Sequence, residues 1–83
     1  MQKNELVPAY FDGSRRHQRL FKKHFPTVFT FVRHIKRAQV AIAETIEGLR
    51  KLIRRGIQKY FLFTMINGKP SLQEVSRIQL SPT

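Results

Sequence analysis

The chain has 83 residues, a formal charge of +11 and no cysteine. That length suits one small domain, the missing thiols exclude disulfides and thiolate metal sites, and no apolar run approaches the ~20 residues of a membrane span. Apolar side chains make up 41% of the sequence, with seven Phe, which excludes a disordered composition. An excess of 16 Lys+Arg over five Asp+Glu repels itself in a compact state, so an anionic partner is expected: nucleic acid, anionic lipid or an acidic protein surface.

Residues 1–13 read as an irregular arm, with Pro8 as punctuation and Asp12-Gly13 as a turn signal. Tyr10 and Phe11 would pin the arm to the core. The segment has no signal-peptide core and no Arg-rich transit pattern, so a cytoplasmic protein is expected. Residues 14–83 are expected to form a single small basic domain.

Residues 14–24, SRRHQRLFKKH, are predicted as a short helix capped by Asp12 or Ser14. At the helical repeat, Arg15, Arg16, Arg19, Lys22 and Lys23 share an arc of roughly 120°, while Leu20, Phe21 and Phe25 turn away from it. Phe25 precedes Pro26 and is biased out of the helical region, which ends the helix.

A second, long helix is predicted over about 27–55, opened by Pro26 in its first turn and stopped by Gly56. Its apolar stripe is Val28, Phe31, Val32, Ile35, Ala38, Ile42, Ile46, Leu49 and Ile53, recurring in steps of three and four. Phe29 and Val40 do not fit, because they project onto its polar arc. On that arc Arg33, Lys36 and Arg37 form one basic block and Arg50, Lys51, Arg54 and Arg55 another. Arg33 and Lys51 would point the same way about 27 Å apart, with Glu44 and Glu47 between the blocks.

Lys59–Ile66 is rich in aromatic and β-branched residues and reads as a strand, and Asn67-Gly68 is a favoured hairpin turn. A C-terminal β-hairpin over about 58–80 is therefore predicted. The competing reading is a helical hairpin, with Ser71–Glu74 as a capping box. Residues 69–83 resemble the opening of a helix-turn-helix unit over about a dozen residues, without the base-reading helix, so no function is carried over. The expected fold is helix-dominated α+β, with an all-α arrangement as the alternative.

No catalytic, metal or cofactor site is expected. His17, His24 and His34 lack the spacing that puts two ligands on one helix face. Asp12, Ser14 and His17 contain an acid, a nucleophile and a base, but a triad is defined by geometry. The four glycines stand apart, so there is no phosphate-binding loop. The candidate binding residues are the twelve clustered cations, eight of them Arg, whose planar fork grips phosphate oxygens.

The expected function is non-catalytic binding of a nucleic-acid backbone, RNA slightly favoured over DNA, within a ribonucleoprotein setting. The alternatives are an accessory subunit docking its basic face on a larger complex, and a peripheral membrane protein using helix 14–24.

Overall fold

Parallel strands that are covered on both faces read as continuous apolar runs, and this pattern organises the molecule. The computed structural model describes residues 6–25 and 27–80. Five strands, β1 (Val7–Asp12), β2 (Phe29–Phe31), β3 (Val40–Ala43), β4 (Lys59–Ile66) and β5 (Lys69–Val75), form one sheet in the order β2-β1-β3-β4-β5. The first three pairings are parallel, and β4 with β5 is antiparallel. Helix α1 (Arg15–His24) connects β1 to β2. A 3-10 turn over Ile35–Arg37 lies between β2 and β3, α2 (Ile46–Lys51) connects β3 to β4, and α3 (Arg77–Leu80) follows β5.

The strand order reverses between β1 and β3, as in doubly wound sheets. Right-handed crossovers then require α1 on one face and the 3-10 turn and α2 on the other. The two cores follow this division. Phe21 of α1 packs with Ala9, Phe11, Phe29, Val40, Ile42 and Phe63. On the other face Leu49 of α2 and Leu80 of α3 pack with Ala38, Ala41, Ala43 and Tyr60, and Ile35 joins from the 3-10 turn. Alternate residues of β3 serve opposite faces, and all four are buried.

The structure overturns the helix-dominated reading and its all-α alternative. No helix spans 27–55; the same residues form β2, the 3-10 turn, β3 and the short α2. Apolar steps of three and four are mimicked here by short strands buried on both faces, which periodicity alone does not separate from a helix. Phe29 and Val40 marked the error: both are buried strand residues. The proposed role of Pro26 in opening that helix lies outside the described residues. The irregular arm is also corrected over Val7–Asp12, which form the strand that pairs with both β2 and β3.

Local signals account for the elements that do form. Ser14 caps α1 by accepting from the His17 amide at 3.2 Å, and Thr45 caps α2 by accepting from the Gly48 amide at 2.9 Å. The β4–β5 hairpin turns at Asn67 (φ 52°) and Gly68 (φ 78°), the paired left-handed geometry of a type I′ turn. It ends at Val75 rather than near 80. Pro70 sits in β5, an edge strand, where its missing amide breaks no ladder. Because 69–75 is strand, the helix-turn-helix resemblance fails there. The capping box is Ser76 with Gln79, which exchange side-chain bonds to each other's amides at 2.9 and 3.2 Å.

Candidate nucleic-acid interface

All twelve candidate cations are exposed. None of them pairs with a carboxylate among the described residues. They do not, however, lie along one helix.

Arg15, Arg16, Arg19, Lys22 and Lys23 occupy α1, whose opposite side sends Phe21 into the sheet. Arg15 and Arg16 stand in its first turn, which has no acidic residue of its own, so that only Glu44, reaching over from the end of β3, brings negative charge to this helix end. Cations there oppose the positive end of the helix dipole, at a cost of a few tenths of a kcal/mol each by the usual scale of about 0.3–1. Fold stability alone therefore does not explain them.

Arg33 leaves its expected partners. It follows β2 and faces α1, sharing with Arg15, Gln18 and Lys22 a depression of about 630 Å³ floored by Tyr10, Phe11, Phe31 and Val32. The first group is thus α1 plus Arg33.

Lys36 and Arg37, on the 3-10 turn, meet Arg54 around a second depression of about 380 Å³. Lys36 also joins Arg54 and Arg55 around a third, of about 530 Å³, floored by Ile35, Ile53 and Ile57. The Tyr60 hydroxyl fixes this loop, accepting from the Arg54 amide at 3.3 Å and donating to the Arg54 carbonyl at 3.4 Å. Parts of the blocks expected about 27 Å apart therefore meet, Lys36 and Arg37 with Arg54 and Arg55, because β3 and β4 are parallel neighbours and both segments precede them. Lys51 ends α2, and Arg50 is committed to structure, its Nε donating to the Leu80 carbonyl at 3.1 Å.

Glu44 and Glu47 do not separate the basic blocks. They lie at the C-terminal end of β3 and in the first turn of α2, near Asp12 at the end of β1. Here the strand order reverses, and Glu44 ties the two strand ends together. Its Oε2 accepts from the Ser14 amide at 2.9 Å, and its Oε1 lies 3.0 Å from His17 Nδ1. The latter is a close ionic contact when the imidazole carries a proton, but it is not aligned as a hydrogen bond. The Ser14 hydroxyl is engaged as the helix cap and His17 faces Glu44 rather than Asp12, so these residues do not line up as a triad. Neither the Glu44 tie nor the pairing of Arg33 with α1 was visible in sequence; both depend on a parallel pairing of β1 with β2 and β3.

No protein-family model, curated protein or solved structure matches the chain. Among the described residues, no helix is long and apolar enough to cross a membrane.

Proposed function

We infer that the protein binds nucleic acid through its phosphate backbone, without catalysing a reaction on it. The observation that carries this reading is the state of the twelve cations: all are exposed and unpaired with carboxylates, and ten of them, all but Arg50 and Lys51, gather into two surface groups. Charge of one sign held this way stores repulsion that a polyanion relieves, and release of the polyanion's counterions drives association. The α1 group mixes Arg forks with Lys point charges over an elongated surface, which suits a repeating phosphate better than a single carboxylate. Membrane binding through α1 is disfavoured, because its Phe21 side is used to cover the sheet. Docking on an acidic protein surface is the rival that the experiment must separate.

The test is capture of partners on the tagged protein with and without nuclease, together with binding of purified chain to random-sequence RNA and DNA. Nucleic acid should co-purify, proteins should be lost on nuclease treatment, and the purified chain should bind both polymers. Protein partners that survive nuclease, with no binding by the purified chain, would replace this reading with an accessory subunit.

A further inference from the structure

Not all of the aromatic side chains on the α1 face are consumed by the core. Phe21 is fully buried and Phe63 nearly so, but Phe25 and Phe31 are only half-buried. Each leans on Phe21, with ring centroids 4.9 and 5.4 Å away, and each also lines an open depression of about 380 Å³ with Lys22, Phe29 and Thr30. The Lys22 ammonium stands 5.1 Å from the centroid of the Phe31 ring. Lys22 and Phe31 also border the depression that holds Arg15 and Arg33. The two hollows therefore adjoin at Lys22 and Phe31 along the seam between α1 and β2, a track aromatic at one end and cationic at the other. Because β2 is an edge of the sheet, no further strand among the described residues flanks the track on its outer side.

We propose that this seam binds single-stranded nucleic acid, a base resting against Phe25 and Phe31 while Arg15, Lys22 and Arg33 hold the adjoining phosphates. The proposal rests on the phosphate-binding reading above and adds the form of the ligand. In a duplex both faces of each internal base are covered by neighbouring pairs, so an aromatic platform gains nothing from it. An unpaired base has a free face, and stacking on a protein ring is tolerant of sequence. The Lys22 ammonium, which lies over the Phe31 ring in the free protein, swings aside when a base takes that face and then meets the phosphate of the same nucleotide.

The chain contains no Trp, so Phe25→Trp introduces a single reporter into the seam. Three probes of equal length, about 15 nucleotides, cover the single-strand site sizes known for small folds: oligothymidylate, a blunt duplex, and a strand in which every base is removed from the sugar-phosphate chain. Affinities are measured on the unmodified protein, and fluorescence on Phe25→Trp. Oligothymidylate should quench the reporter and bind at least about tenfold more tightly than the base-free strand, with the duplex also weaker. Equal affinity for oligothymidylate and the base-free strand, or tightest binding to the duplex, would overturn the stacking seam and leave the phosphate reading standing. Absence of salt-sensitive binding to all three would overturn both.

Discussion

Glu44 accepts a hydrogen bond from the Ser14 amide at 2.9 Å, so the end of β3 holds the start of α1. The same carboxylate touches His17 one turn into the helix. This tie orients the whole basic face of α1 from its first residue. Glu44→Ala should therefore destabilise the fold by about 1.5–3 kcal/mol, the range for a hydrogen bond to a charged group. Glu44→Gln, which keeps an acceptor, should cost less. Urea denaturation of the three proteins checks the order; equal stabilities would mean the tie holds nothing.

Packing around Gly13 leads to a second expectation. A Cβ built there would overlap the Glu44 carboxylate and the buried Phe11 ring. Gly13→Ala should cost about 1–3 kcal/mol, as over-packing usually does. Adding Glu44→Ala removes one of the two clashes and should recover part of the loss, which thermal unfolding of single and double variants would reveal as non-additivity.

Ile42 is fully buried on the central strand β3, beside Val40 on the face that α1 covers. Ile42→Ala should cost about 2–5 kcal/mol, enough to unfold much of so small a domain. Ile35 sits on the 3-10 turn and is only partly buried, so Ile35→Ala should cost clearly less. Comparable losses from denaturation curves would contradict the placement of β3.

The two glycines in the loops before and within the last hairpin should behave differently. Gly68 holds a left-handed φ of 78°, so Gly68→Ala should cost about 1–2 kcal/mol. Gly56 has open space around its Cα and no such backbone, so Gly56→Ala should be neutral or stabilise by up to about 1 kcal/mol. Paired melting curves decide between this and the view of Gly56 as a required helix stop.

What the sequence made legible was local. Ser14 as cap, the α1 charge arc and Asn67-Gly68 as a hairpin turn all act within a few residues, and each is present. The central sheet was not legible, because parallel strands pair residues far apart, such as Ala9 with Val40. Val40–Ala43 is too short and too uniformly buried to show a period of two. The polar-arc positions of Phe29 and Val40 were the one visible protest against a helix over 27–55. The site suffered likewise: the cations were identifiable as residue types, but their grouping depends on which strand ends meet.

On the proposed function, the α1 cations and Arg33 contact phosphates together. The most direct test is the dependence of affinity for a single strand on salt concentration. If about five cations engage, log K against log salt should slope near −3.5, at about 0.7 per phosphate neutralised. Replacing both Arg15 and Arg33 by Ala should flatten that slope by about 1.4. Replacing Arg54 and Arg55, in the other group, should change it by less. An affinity flat in salt, or a slope untouched by Arg15→Ala with Arg33→Ala, would contradict the claim.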